Sequence, residues 1–145
     1  MTDERRPQAA APKSQAARLT GRIIFDGTAT GRVLKSEVPL GFFGHLDPET
    51  GIYREAGHPL DGLSIKDRVL VFPRGKGSTV GSYILYGLKK AGNAPAALVM
   101  SECDTIVAVG ALIGEIPTLD GVAIAALENE QSVRIGDGEI VVIGH

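Results

Sequence analysis

Apolar and polar positions alternate loosely over residues 18–25, and the run ends at Asp26-Gly27, which predicts a strand followed by a turn. Gly31-Arg32-Val33-Leu34 predicts a second strand. Residues 38–62 have no period: Pro39, Gly41, Gly44, Asp47-Pro48, Gly51, Gly57, Pro59 and Gly62 interrupt them, and only Ile52-Tyr53 is strand-like. A turn-rich excursion of this length inside a domain is more often functional or interfacial than idle.

Order resumes at Val69-Leu70-Val71-Phe72, an unbroken apolar run of the kind buried on both faces of a sheet. Over residues 81–91, Ile84, Leu85 and Leu88 share one helical face, Lys89 and Lys90 suit the negative end of the helix dipole, and Gly92 is a natural stop. Residues 96–100 are another buried strand. Together, residues 69–100 make a strand, helix, strand unit, right-handed if its strands are parallel. Residues 105–113 are apolar almost throughout, which fits either a helix capped by Asp104 or a strand, and periodicity does not choose. Ile116-Pro117-Thr118-Leu119 and Gly121-Val122-Ala123-Ile124 predict short strands around the Asp120-Gly121 turn. Residues 132–143 predict a β-hairpin turning at Gly136-Asp137-Gly138, and no internal repeat is present.

Composition narrows the class. The 145 residues, 43% hydrophobic, suffice for one domain with a core, residues 18–145, preceded by a tail. That tail, residues 1–17, is rich in Ala, Gln, Pro and charge, and is expected to be disordered. It lacks the apolar stretch of a secretory signal, and Asp3 and Glu4 argue against a transit peptide, so the expected location is cytoplasmic. Nineteen glycines, eight prolines and 5% aromatic residues point to turns between short strands, not to a helical bundle. A net charge of -2 with scattered basic residues argues against nucleic acid as a partner. No apolar run approaches the ~20 residues that span a bilayer, so no membrane role is expected. Cys103 is the only cysteine, which excludes an internal disulfide and any iron–sulfur cluster held by this chain's thiolates alone.

The candidate chemistry lies in Arg74-Gly75-Lys76-Gly77-Ser78-Thr79-Val80-Gly81-Ser82, where the strand over 69–72 turns into the helix. Glycines admit a ligand close to the backbone, and N–H groups at a helix start are unpaired and favour negative charge. The loop is not a Walker A motif: position 70 is Leu, and Lys76 is followed by Gly77 instead of Ser or Thr. Nor is it a dinucleotide fingerprint, because Gly75, Gly77 and Gly81 are spaced Gly-x-Gly-x-x-x-Gly. The simplest alternative is a glycine turn in which Ser78 or Thr79 caps the helix. Arg74 and Lys76 beside bare backbone donors and hydroxyls favour an anion, either carboxylate or phosphate. For Ser78 to act as a base it must be an alkoxide, and a helix terminus worth at most ~2 kcal/mol cannot supply that alone.

The remaining titratable groups carry weaker signals. His45 has only Asp47 nearby and His58 precedes Pro59, so neither forms a metal-ligand set. Cys103 reads first as a small buried hydrophobe and second as a ligand lent to a partner's cluster. Glu102, Asp104 and Glu115 read as caps or solvated surface.

Several separated motifs, in order, resemble one family. Asp47-Pro48-Glu49-Thr50-Gly51, His58-Pro59-Leu60, Val71-Phe72-Pro73 with the glycine loop, Pro95-Ala96-Ala97 and Ile116-Pro117 are similar to the small subunit of aconitase X, over about residues 20–143. The resemblance implies an α/β fold, the swivelling β/β/α domain of the aconitase type, built here around the strand, helix, strand unit. It also implies a hydro-lyase subunit that acts only with a large catalytic subunit, the latter holding iron or an iron–sulfur cluster, with no metal on this chain. Ser78 maps onto the family's catalytic serine, which takes a proton alpha to a carboxylate while the metal centre assists departure of hydroxide. Gly77 and Thr79 would offer N–H groups to a small carboxylate substrate, and Arg74 or Lys76 would stabilise Ser78 or the substrate's charge.

Family members act on cis-3-hydroxy-L-proline, giving pyrroline-2-carboxylate, or on mevalonate 5-phosphate. Departure from the archaeal members at Gly44-His45-Leu46, an Ala/Arg-rich tail and the single basic residue, Arg54, in 38–62 favour hydroxyproline. The competing readings are the phosphomevalonate enzyme, an anion-binding swivel or carrier module without chemistry, and a nucleotide-binding domain.

Overall fold

A computed structural model describes residues 18–77 and 80–144; the expected disordered tail, Ser78, Thr79 and His145 lie outside the described residues. The strands are β1 (Arg18–Thr20), β2 (Arg22–Phe25), β3 (Ala29–Lys35), β4 (Leu40–Gly41), β5 (Val69–Phe72), β6 (Gly75–Lys76), β7 (Ala97–Met100), β8 (Thr118–Asp120), β9 (Ser132–Gly136) and β10 (Glu139–Gly144). Two α-helices, α1 (Gly81–Ala91) and α2 (Thr105–Gly114), complete the frame, with one 3-10 turn at Ile124–Ala126.

Eight strands hydrogen-bond in the order β1-β10-β9-β3-β5-β7-β8-β2. β3 joins two halves: Ala29 to Arg32 pair with β9 antiparallel, and Val33 to Lys35 pair with β5 parallel. On one side lies the antiparallel set β1, β10, β9; on the other lie the parallel strands β5, β7 and β8, edged by antiparallel β2. Helix α1 connects β5 to β7 and α2 connects β7 to β8, as parallel neighbours require.

Because side chains alternate along a strand, the central strands feed two cores. Leu34, Leu70, Phe72, Leu98 and Met100 pack with Leu85, Leu88, Val107 and Ala111 of the helices. Val33, Val69, Val71, Ala97 and Val99 point to the opposite face, where Val133, Ile135 and Ile140 of the antiparallel set cover them with Leu127. Two sheet layers and one helical layer result, the β/β/α arrangement that the family resemblance implies. Residues 69–72 and 97–100 are fully buried, as their unbroken apolar runs require.

Helix α1 matches the expected span: Gly92 ends it at φ 79°, its N–H returning to the carbonyls of Leu88 and Lys89. Residues 105–114 are a helix, with Asp104 as N-cap accepting from the Val107 N–H at 3.4 Å and Glu115 as a left-handed C-cap. The hairpin turns on Asp137 and Gly138, both at positive φ, between Gly136 and its register partner Glu139.

Two expectations need correction. Residues 18–25 are two strands on different partners, broken at Gly21, where a Cβ would lie 2.6 Å from Val122 Cγ2 and 2.8 Å from the Asp120 carbonyl. Residues 121–124 are not a strand: after β8 the chain leaves the sheet, Val122 and Leu127 dip into the second core, and a 3-10 turn separates them. Ile52 and Tyr53 form only isolated bridges, to Ser64 and Leu46.

Candidate functional site

The glycine loop leaves the C-terminal end of β5, and in parallel α/β sheets ligands are met at that end of the strands. Its first residues are not free. Leu40 and Gly41 pair in parallel with Gly75 and Lys76, and the Leu40 N–H donates to the Arg74 carbonyl at 3.1 Å. Residues 38–62 therefore serve as a brace beside the loop.

Gly75 has no room for a side chain: a Cβ there would sit 2.7 Å from Val107 Cγ2 and 2.9 Å from Asp104 Oδ1. Gly77 adopts φ 101°, a backbone conformation that other residues rarely take. Gly81 is close-packed as well, between Ile106 of α2 and Phe42 of the brace. The glycines thus let the loop press onto α2, turn back, and start α1.

No described side chain caps the start of α1, whose N-cap position is Val80. The cap alternative for Ser78 or Thr79 falls on residues outside those described. Of the three hydroxyls in the loop, Ser82 is buried and donates to the Ile106 carbonyl at 2.9 Å, tying α1 to α2. That bond makes Ser82 a structural residue. Ser78 and Thr79 lie outside the described residues.

Arg74 is exposed and has no ion-pair partner among the described residues. Lys76 differs: its ammonium donates to Glu55 Oε2 at 2.6 Å. Glu55 also accepts from the Tyr53 hydroxyl at 2.6 Å, and that hydroxyl accepts the Gly41 N–H at 3.0 Å. A chain of bonds thus runs from β4 through Tyr53 and Glu55 to the loop. His45 completes the cluster, its Nε2 4.0 Å from Glu55 Oε1 and its Nδ1 bonded to the Arg54 carbonyl at 3.0 Å.

Charge within the cluster follows from these contacts. The hydrogen bonds from Lys76 and then Tyr53 hold the Glu55 carboxyl down at about 2. Burial, and secondarily its bond to Glu55, push the Tyr53 hydroxyl well above its ordinary range. Glu55 is thus an anion with both oxygens occupied. A folded value below the ordinary 4.5 means that the carboxylate contributes stability in full above about pH 4.5 and loses it as pH falls towards 2. Glu55→Gln is expected to cost about 1–2 kcal/mol at pH 7, above an ordinary surface pair because the buried Tyr53 hydroxyl loses a charged acceptor. Thermal unfolding of both proteins at a series of pH values checks this: the gap should close between pH 4.5 and 2.

The other candidates are structural. His58 accepts the Leu60 N–H at Nδ1, 3.0 Å, which leaves its Nε2–H to donate to the Pro39 carbonyl at 3.1 Å. Asp120 takes a two-pronged bond from Arg22, at 2.9 and 2.8 Å, and accepts the Cys103 N–H at 3.0 Å, clamping the turn before α2. Arg22 is the main cause of the lowered Asp120 carboxyl. The Cys103 thiol is pushed up to about 11, by burial and then by Asp104 and Asp120, and its Sγ–H donates to the Asp104 carbonyl at 3.4 Å. Among the described residues no three His, Cys, Asp or Glu side chains gather to hold a metal ion. Glu102 is exposed, and Asp104 and Glu115 are caps, as their sequence contexts suggest.

A second groove, of about 590 Å³, opens against β1, β9 and β10. Two of its charges, Arg18 and Glu139, pair at 2.6 Å, and it lies in the layer opposite the helices. The glycine loop, with Arg74 lacking an ion-pair partner among the described residues, stays the leading candidate.

A pinned glycine loop opening a helix, at the edge of a β/β/α frame, is the architecture of a swivel domain. The aconitase X swivel domain family matches residues 18–143, and the chain belongs to that family. The phosphomevalonate dehydratase small subunit of Thermococcus kodakarensis is 48% identical over 128 residues, covering 87% of this chain and 96% of the relative. Its counterpart in Methanosarcina mazei is 51% identical over 123 residues, covering 85% and 82%. The crystal structure of Thermococcus kodakaraensis aconitase X in its holo form superposes with a TM-score of 0.85 at 48% identity, covering 87% of this chain and 98% of the matched one. The chain is accordingly a subunit of a hydro-lyase of the aconitase X type. No described helix is long and apolar enough to cross a membrane.

Proposed function

We propose that this chain is the small subunit of a dehydratase acting on mevalonate 5-phosphate, with Ser78 as the base that removes a proton alpha to the substrate carboxylate. The observation that carries the reading is identity near one half, over 85–87% of the chain, to relatives bearing that name. The hydroxyproline preference rests on Gly44-His45-Leu46, the tail and the single basic residue, Arg54, in 38–62. Gly44 turns at φ 86° and His45 bonds the Arg54 carbonyl, so that segment has a local structural reason for its sequence. The tail lies outside the described residues.

In the reaction, the bond between hydrogen and the alpha carbon breaks, its electron pair forms the carbon–carbon double bond, and the hydroxyl on the adjacent carbon leaves as hydroxide. Ser78 takes the proton. The N–H groups of Gly77 and Thr79 are the proposed donors to the carboxylate, where negative charge grows as the proton departs. Arg74 supplies fixed positive charge. Lys76 acts through Glu55 to hold the loop, because its ammonium is already paired.

Positive charge from this chain is too little for both the Ser78 alkoxide and a phosphate, which supports a large subunit as the partner that supplies the rest. Any iron–sulfur cluster of the reaction needs that partner, because a single cysteine cannot hold one by itself. The test is turnover of the purified two-subunit complex on both substrates. Mevalonate 5-phosphate should be preferred by at least a hundredfold in kcat/KM; preference for cis-3-hydroxy-L-proline overturns the reading.

A further inference from the structure

Helix α2 carries no charged residue. Its inner positions Val107, Gly110 and Ala111 pack against α1 and the sheet. Its outward positions are Val109, Leu112 and Ile113, with Leu112 50% exposed. A helix on the surface of a solitary domain normally turns a polar stripe to water. Here both stripes are apolar. Tyr83 of α1, 70% exposed, stands beside Val109 and Ile113 and lines one groove with them.

The placement of this groove gives it meaning. It begins at Val80 and Ser82, the last residues of the loop, so a surface that covers the loop reaches the groove as well. On the other flank stands Phe43, 51% exposed, whose backbone N lies 3.8 Å from where a Gly81 Cβ would be. An anion-binding loop is thus bordered by exposed apolar side chains on two sides. Such a border excludes water when a partner closes on it, and exclusion of water strengthens the electrostatics inside.

We infer that the Tyr83, Val109, Leu112 and Ile113 face, with Phe43, is the surface on which the large subunit docks. The inference rests on the reading of this chain as a small subunit, and it names the face by which the loop is delivered to the partner. The partner's surface is apolar, with a slot for a tyrosine ring and no charge opposite α2. A second copy of this chain would cover the apolar face but bring another glycine loop to the site, and two such loops add no further cationic residue type or base; the large subunit is therefore the occupant.

The test measures affinity between separately purified subunits, without substrate. Tyr83→Glu and Ile113→Asp are expected to leave the isolated chain folded, by circular dichroism and thermal unfolding, because both side chains are exposed. Each should weaken large-subunit binding at least tenfold. Ile143→Asp, an exposed position on β10 in the opposite layer, should leave binding unchanged. In the wild-type pair, hydrogen exchange should slow over residues 81–86 and 105–114 on complex formation.

Unchanged affinity in both variants overturns the inference, as does an equal loss with Ile143→Asp. Exchange rates over those segments that do not change on binding overturn it too, as does failure of the wild-type chains to associate. So does a homodimer of the isolated chain that the variants break while the large subunit still binds. The substrate reading fails separately: a complex that assembles through this face but leaves mevalonate 5-phosphate untouched sinks that reading and keeps the docking face.

Discussion

Replacing Ser78 with alanine is expected to lower turnover of the assembled enzyme by about 10²–10⁴-fold, the range attached to a lost general base. KM should change little, since the N–H groups at positions 77–79 and the Arg74 guanidinium remain. Assembly and thermal stability should also be unaffected, because the proposed docking face lies on the helices beyond the loop. The effect falls on kcat because the hydroxyl matters as the proton leaves, not as substrate arrives. Turnover within about tenfold of wild type would remove Ser78 from the role of base and return the loop to anion binding alone.

The second large effect is on stability. Phe72 is the last residue of β5 and fully buried; its ring meets Phe42 edge to face, with centroids 5.9 Å apart. Phe42 in turn packs at the start of α1, beside Gly81. Phe72→Ala leaves a cavity beneath the loop in a core too close-packed to collapse fully, and should cost about 3–5 kcal/mol. A domain's total stability is about 5–15 kcal/mol, so the loss is large. For a chain of this size it corresponds to a fall of about 10–20 °C in Tm. Calorimetry checks it, and a fall under about 3 °C would mean that the brace and α1 hold together without Phe72. Because Phe42 loses its partner, activity of the surviving folded fraction should fall as well.

The frame of this protein was legible from sequence wherever one physical signal dominated. Helix α1 shows one apolar face, two terminal lysines and a stopping glycine, and its ends were found to the residue. Strands β5 and β7 are apolar throughout because both of their faces are buried. Residues 105–113 resisted because α2 has no polar stripe, and periodicity needs two unlike faces. A partner on that face, as proposed, would account for the missing stripe. The break at Gly21 and the two-residue pairing of β4 with β6 were hidden because long-range contacts decide them: Val122 and Asp120 in one case, Arg74 in the other.

The site was legible in part. Glycines, cations and hydroxyls marked the loop, but nothing in a one-dimensional reading pairs Lys76 with Glu55, 21 residues earlier, or places Tyr53 between Glu55 and Gly41. Tyr53 read as a strand residue, though it is a buried relay. The turn-rich excursion was the available signal, since a long irregular segment kept inside a domain has to brace something. Nor does sequence show that Ser82 is structural; its bond to the Ile106 carbonyl does.

The central claim is that this loop is half of an active site, completed by another chain. Its most direct measurement is a titration: this chain and the large subunit are purified separately, and loss of water from mevalonate 5-phosphate is followed as one is added to the other. The account expects no turnover from either protein alone, and turnover that rises with added small subunit until the two are equimolar. Turnover by the large subunit alone at the rate of the mixture would contradict it.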